Sequence, residues 1–132
     1  MDGFTLQNKN NVWFGSFEAF TQAGFGNAFS CRLHGESSLV PDGFNLALHV
    51  GDDAEKVLSN RQKYAAALGV AAGKFTCCEQ VHGDVVAVIE ESTKGKGALA
   101  YADAVKGTDA LVTNLPDVPL LLFFADCVPI IF

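Results

Sequence analysis

The sequence predicts an α+β fold, a mixed β-sheet layered with helices. Short apolar and aromatic runs, separated by turns rich in Gly, Pro and Asn, are typical of strands. Only one segment, which begins at Asp52 or Asp53, carries apolar residues at clear helical spacing. Hydrophobic residues make up 49% of the chain and charged residues 18%, which favours a packed core over disorder. We expect a single domain over residues 1–132.

Two strands are predicted in the first third of the chain. They cover residues 12–17 and 28–32, and Gly24 and Gly26 lie in the bend between them. Residues 34–43 are rich in Gly, Ser and Pro and are predicted to form a loop.

The next segment leads into the helix. Residues 45–50 alternate in polarity and, as a strand, would point Leu46, Leu48 and Val50 to one side. The helix then begins after an acidic cap and ends before Gly69, a typical left-handed cap. Its apolar face consists of Val57, Leu58, Tyr64, Ala65 and Leu68, and its predicted solvent face of Glu55, Lys56, Arg61, Gln62 and Lys63.

The second half is predicted to be mostly strand and loop. Residues 74–81 and 84–89 flank His82 and Gly83, either as a tight hairpin or as one bent strand. A polar, glycine-rich loop follows over residues 90–106. The last elements are a short strand at 109–113, a turn around Pro116, and a long buried strand over 118–132 that is broken near Pro129.

Composition excludes several functional classes. The net charge of −6 and the pI of about 4.8 disfavour a broad nucleic-acid surface, but not a small anionic substrate held by one or two cations. No apolar stretch reaches the roughly 18 residues of a membrane span, and the first residues lack a secretory pattern. The four cysteines do not suggest a disulfide framework, so we expect a cytoplasmic protein. Its oligomeric state is left open.

Cys127 and His82 are the candidate catalytic residues. Cys127 lies in an apolar run beside Asp126, and a buried cysteine is most often a small core residue. His82 precedes Gly83 at a turn, where histidine can be a ligand, a base or a solvated residue. A Cys and a His together can form a thiolate nucleophile with its base, or bind zinc with a third ligand.

Arg32 is the candidate anion-binding residue. It ends a predicted strand, and its permanently charged guanidinium suits phosphate or carboxylate, but the residues alone favour a surface arginine paired with a neighbouring acid. His34 and His49 are similarly ambiguous. The chain contains neither a P-loop nor a GxGxxG signature.

Six motifs in succession resemble the laccase-like family also known as multicopper polyphenol oxidases and linked to purine nucleoside phosphorylase activity. They are FSCR from Phe29, NLALHVGDD from Asn45, NR at Asn60, QVHG from Gln80, TDALVT from Thr108 and ADCVP from Ala125. Each motif alone is weak, but their order is specific. FSCRLHG departs from the usual FSTRxGG at Cys31 and His34, which affects the loop after Arg32.

The resemblance implies a zinc enzyme. It implies that His82 and Cys127 are metal ligands and that the third, a histidine, lies beyond Phe132, so that the chain is the amino-terminal portion of the laccase-like domain. It places Arg32 near phosphate or substrate and makes Asn45 a weaker substrate-binding candidate. The implied activity is phosphorolysis of adenosine, inosine, guanosine or methylthioadenosine, with adenosine deaminase as a second activity.

Three alternatives remain. The family's fold resembles that of a toxin deamidase, a cysteine hydrolase fold, in which Cys127 would be the nucleophile and His82 the base. The older family name implies copper and phenol oxidation, for which one Cys-His site supplies too few metals. The third alternative is an apparently truncated, inactive fragment, since the chain closes on the apolar run of residues 118–132.

Overall fold

The computed structural model describes residues 3–132, which divide into two compact units. The first unit ends at Gly69 and the second covers Val70–Phe132. No helix among these residues has the length and apolar character needed to cross a membrane.

A three-stranded antiparallel sheet forms one part of the first unit. Strand β1 (Phe4–Lys9) pairs with β2 (Val12–Phe17), which pairs with β3 (Phe29–Ser30). Asn10 and Asn11 connect β1 to β2 with positive φ angles of 53° and 65°, the conformation of a tight hairpin turn. Strand β2 has the predicted bounds, whereas the predicted strand at 28–32 is only two residues long, and β1 was not predicted.

Two helices complete the first unit. The short helix α1 (Glu18–Gln22), which was not predicted, lies between β2 and β3, and α2 is the predicted helix over Ala54–Leu68. Asp53 caps α2 by accepting hydrogen bonds from the N–H groups of Glu55 and Lys56. Gly69 ends it with a φ of 74°, which confirms both predicted caps.

Helix α2 packs its apolar face against β2. The ring of Tyr64 contacts those of Phe14 and Phe44 edge-on, with centroids 6.5 and 6.2 Å apart. Arg61, predicted on the solvent face, is instead 2% exposed, and its Nε donates to the carbonyl of Leu46 at 2.7 Å. A helix pattern that counts arginine as polar cannot anticipate a guanidinium that binds backbone carbonyls in the interior.

The second unit contains two parallel strand pairs. Strand β4 (Thr76–Cys77) pairs with β7 (Leu120–Leu121), and β5 (Val86–Val88) pairs with β6 (Ala110–Val112). Between β5 and β6 the chain forms the predicted loop, interrupted by a single 3₁₀ turn at Tyr101–Asp103. The buried residues of this unit are Phe75, Thr76, Cys77, Cys78, Ile89, Gly97, Ala98, Ala104, Thr108 and Leu121.

Three predictions about strands are wrong. Residues 74–81 and 84–89 form neither a hairpin nor one bent strand, because β4 and β5 each pair with a later strand. Residues 45–50 form no strand, since their backbone is bonded to the side chains of α2.

The long buried strand over 118–132 is also absent. Only Leu120–Leu121 is strand, and Val128 and Phe132 are 82% and 105% exposed. The predicted mixture of helices and strands is confirmed. Helices and strands are both present, but antiparallel and parallel pairings lie in separate small sheets and not in one layered mixed sheet.

Candidate functional site

His82 lies in a tight turn just after β4. Its φ of 61° is left-handed, a region that residues other than glycine enter infrequently, and the residue is exposed. The N–H groups of Val81 and His82 donate to Asp109 Oδ1 at 2.9 and 2.8 Å, and that of Gly83 donates to Oδ2 at 2.8 Å. One carboxylate therefore holds the backbone on both sides of the histidine.

These hydrogen bonds change the pKa of the Asp109 carboxyl. Burial by itself would raise its pKa, but the N–H groups of Gly83, His82 and Val81 favour the charged form, and the net effect lowers the pKa below its ordinary value. Asp109 is thus an anion at neutral pH, and its three hydrogen bonds are charge-assisted.

Cys127 lies in the corresponding position after β7. Residues 125–127 form a bend, in which Asp126 has a φ of 64° and Cys127 is exposed. The prediction that this thiol is buried in a strand is therefore wrong. None of the four cysteines forms a disulfide, and Cys77 and Cys78 are the buried ones. Burial raises the pKa of the Cys78 thiol to about 11, which makes it a poor nucleophile at neutral pH.

Gln80 joins the two segments that carry His82 and Cys127. Its Nε2 donates to the carbonyl of Phe123 at 3.0 Å, and its Oε1 accepts from the N–H of Phe123 at 2.8 Å. Beyond the ends of β4 and β7, the Gln80 side chain thus bonds to the backbone of Phe123 as a neighbouring strand would. His82 and Cys127 therefore both follow the carboxyl ends of paired parallel strands, a common location for functional residues.

His82 and Cys127 are residue types that bind zinc. Imidazole nitrogen and thiolate sulfur are ordinary zinc ligands. Two donors are nevertheless too few for a protein zinc site, and within residues 3–132 no three His, Cys, Asp or Glu side chains form a group able to hold a metal ion. A zinc ion held by His82 and Cys127 would need a further ligand.

Arg32 belongs to the first unit. It follows β3 and is exposed, and its backbone carbonyl accepts the N–H of Phe44 at 2.8 Å. Its guanidinium makes no hydrogen bond or ion pair with any residue between 3 and 132, so it is available to an anion. His34, which follows closely, is exposed with a φ of 64°.

Asn45 also lies in the first unit, and its amide is already bonded within the protein. Nδ2 donates to the carbonyl of Ala47 at 3.1 Å and to Asp52 Oδ2 at 3.0 Å, while Oδ1 accepts from the N–H of Ala47 at 2.9 Å. These bonds define the local loop. Any contact of this side chain with a substrate would have to share these atoms.

An open surface cavity of about 470 Å³ lies elsewhere in the second unit. Its charged lining residues are Lys74, Glu91, Lys94 and Asp117, and Lys94 forms an ion pair with Glu91. None of the four predicted site residues lines it. Its charges are balanced and exposed, so it offers no preference for an anion or a cation.

The structure adds two residues to the candidate site. Gln80 and Asp109 occur in the motifs QVHG and TDALVT, but no role was predicted for either. The local sequence around Asp109 does not indicate that it binds the His82 turn, because the amides it binds lie 26 to 28 residues away.

Comparison with known proteins places these residues in a family context. A sequence model of the multi-copper polyphenol oxidoreductase laccase family matches residues 26–132. Purine nucleoside phosphorylase YlmD of Geobacillus stearothermophilus is 45% identical over 100 residues, which cover 75% of this chain and 36% of the relative. A purine nucleoside phosphorylase of Corynebacterium glutamicum is 41% identical over 78% of this chain and 39% of its own length.

An adenosine deaminase of an unknown prokaryotic organism is 40% identical over 67% of this chain and 34% of its own length. Two crystal structures have the same fold over 92% of this chain and 45% of theirs. They are YfiH of Bacillus licheniformis, with a TM-score of 0.83 and 30% identity, and YlmD of Geobacillus stearothermophilus, with 0.82 and 36%. The chain thus spans less than half the length of the relatives it matches.

Proposed function

The chain belongs to the multi-copper polyphenol oxidoreductase laccase family, and we propose that it takes part in phosphorolysis of purine nucleosides. The reaction would exchange the bond between base and sugar for a bond between sugar and phosphate. Relatives named purine nucleoside phosphorylase match three quarters of the chain. The observation that carries the proposal is the Gln80–Phe123 contact, which joins the segments of His82 and Cys127.

We assign a role to each of the four predicted residues. His82 and Cys127 would hold a zinc ion together with a further ligand, since their donor atoms suit that metal. Arg32, whose guanidinium is unpaired among residues 3–132, would bind phosphate. Asn45 would act more indirectly, because its amide shapes the loop after β3.

Adenosine, inosine, guanosine and methylthioadenosine are the proposed substrates. Adenosine deamination is the proposed second activity, supported by the relative named adenosine deaminase. When bound, zinc would supply the Lewis-acid chemistry that activates water for deamination. The four cysteines are all in the reduced state, which fits the proposed location in a reducing cytoplasm.

The first experiment combines metal analysis with a product assay. Zinc is measured by mass spectrometry on the purified full-length protein, and adenosine is incubated with and without phosphate while adenine and inosine are separated by chromatography. We expect zinc near one ion per chain and adenine release that requires phosphate. Metal-free protein that releases neither product would contradict the proposal.

Substitutions then test the individual roles. His82→Ala and Cys127→Ala should each lower zinc content and reduce the rate of phosphorolysis by about 100-fold or more. Arg32→Ala should raise the KM for phosphate by about tenfold, the loss of one charge-assisted hydrogen bond, and leave zinc content unchanged. His34→Ala is the control for His82→Ala, because it removes another exposed histidine. Lys9→Ala is the control for Arg32→Ala, because it removes another exposed positive charge.

A cysteine hydrolase with a toxin-deamidase-like fold is the second candidate. The exposure of the Cys127 thiol favours it, because a nucleophile must be accessible. In that case Cys127 would attack the carbonyl carbon of an amide, and His82 would accept the thiol proton and pass it to the departing amine. Water would then hydrolyse the thioester and release the free thiol. Rapid alkylation of Cys127 by iodoacetamide, unaffected by added zinc, would support the hydrolase over the phosphorylase.

A further inference from the structure

The turn that carries His82 lacks support from regular secondary structure. Strand β4 ends at Cys77 and β5 begins at Val86, and the segment between them contains no helix or strand. A histidine with a φ of 61° is held in a conformation that most side chains disfavour. Something outside the segment must therefore determine its conformation.

The carboxylate of Asp109 provides that constraint. Its two oxygens accept the N–H groups of three successive residues, Val81, His82 and Gly83, at 2.8 to 2.9 Å. Three successive amides that converge on one anion can do so only if the backbone curls around it. The carboxylate and the left-handed turn thus depend on each other.

Asp109 is itself anchored. Its N–H donates to the carbonyl of Val85 at 3.0 Å, and the next residue, Ala110, begins β6 opposite Val86 of β5. The other side of the contact is also closely fitted. A Cβ atom on Gly83 would lie 3.3 Å from Asp109 Oδ2, closer than an ordinary van der Waals contact. The glycine of the VHG sequence therefore lets the carboxylate approach.

We propose that Asp109 is a positioning residue for His82, whose backbone it fixes so that the imidazole is presented at the end of β4. The inference rests on the proposed role of His82 as a metal ligand. Among residues 3–132, the hydrogen bonds of the Asp109 carboxylate all go to backbone N–H groups of the turn. It would act through the histidine by reducing the number of conformations in which the imidazole can be found.

Two variants of Asp109 and one matched control test this role. Asp109→Ala removes both acceptor oxygens, whereas Asp109→Asn keeps one. Asp84→Asn is the control, because Asp84 is an exposed carboxylate two residues from His82 that bonds to no residue between 3 and 132. It removes the same charge near the histidine without removing a backbone hydrogen bond.

The first readout is metal binding to the purified full-length protein. We expect Asp109→Ala to weaken Zn²⁺ binding by about 10- to 100-fold, Asp109→Asn to weaken it less, and Asp84→Asn to leave it within about twofold. With Co²⁺ as the probe, the visible bands report ligand geometry. At saturating Co²⁺ they should shift in the Asp109 variants and superimpose on the parent in Asp84→Asn. Unchanged Zn²⁺ affinity and unchanged Co²⁺ bands in Asp109→Ala would overturn the proposal.

A second readout requires no metal. Val81, His82 and Gly83 are exposed, so protection of their amides from hydrogen exchange must come from Asp109. In metal-free protein we expect this protection to be lost in Asp109→Ala and kept in Asp84→Asn. If His82→Ala binds Zn²⁺ as the parent does, the proposed role of His82 is wrong. Amide exchange then decides whether Asp109 holds the turn. If the amides of the turn are as well protected in Asp109→Ala as in the parent, Asp109 does not hold it.

Discussion

Asn60 shows how one side chain can define a whole segment. It is fully buried, and its Oδ1 accepts the N–H of Glu36 at 2.9 Å while its Nδ2 donates to the carbonyls of Asn45 and Gly43 at 3.0 and 3.4 Å. The neighbouring Arg61 binds the carbonyl of Leu46. Together these side chains satisfy backbone groups that a strand partner would otherwise bind, which explains why residues 45–50 are not a strand.

Asp52 plays a similar part at the start of the helix. Its Oδ2 accepts from the hydroxyl of Ser37 at 2.6 Å and from Asn45, and its Oδ1 accepts from the N–H groups of Ser38 and Asp53 at 2.9 Å. Burial would raise its pKa, but these four donors lower the pKa from 3.8 to about 2. The charged form is therefore favoured by folding.

The pKa of Asp52 gives a prediction about acid stability. A group whose pKa is lowered by folding stabilises the protein at pH values above its unfolded pKa, and this contribution is lost as the pH falls toward the folded value. We expect Asp52→Asn to lower the urea midpoint at pH 7. Between about pH 4 and pH 2, the urea midpoint of this variant should fall less than that of the parent. The control is Asp42→Asn, an exposed carboxyl in the same region. Equal pH profiles for Asp52→Asn and the parent would contradict the prediction.

Helix α2 is the element that local sequence specifies best. Its cap residues, Asp53 and Gly69, act within a few residues of the helix ends, so a local pattern contains the necessary information. Strands β4 and β7 are the opposite case. They are two residues long and pair with each other across more than 40 residues, so no local pattern can define them.

The C-cap of α2 provides a test at this scale. At Gly69 a Cβ would meet no atom within 4 Å, so the cost of Gly69→Ala comes from its φ of 74° alone. We expect that substitution to lower the free energy of unfolding by about 1 kcal/mol, measured by urea denaturation. Gly73→Ala is the control, because that position is equally open but has no positive φ. A larger effect at Gly73 than at Gly69 would show that the cap conformation is unimportant.

Exposed apolar surface is the main feature at the scale of the whole chain. On the parallel pair β5 and β6, Val86, Val88 and Val112 are 59%, 64% and 48% exposed. Val128, Ile130 and Phe132 near the carboxyl end are exposed as well. Apolar strands with free edges favour association with other chains.

Association of the chain should therefore depend on these valines. We expect the parent chain to associate as its concentration rises, and Val88→Lys to reduce this in light-scattering measurements, because a charge on the strand opposes edge pairing. Asn8→Lys adds the same charge on β1 and should have little effect. If both variants associate as the parent does, the valine surface is not responsible.

The sequence by itself determined helix α2 with its caps, strand β2, the mixture of helix and strand, and the family, on which the candidates Arg32, Asn45, His82 and Cys127 depend. These features rest on local spacing or on the order of motifs. Only the tertiary structure decided that Arg61 is buried, that Cys127 is exposed, and that Gln80 and Asp109 hold the segments of Cys127 and His82. Each of these depends on hydrogen bonds or packing between residues far apart in the chain, which no local pattern records.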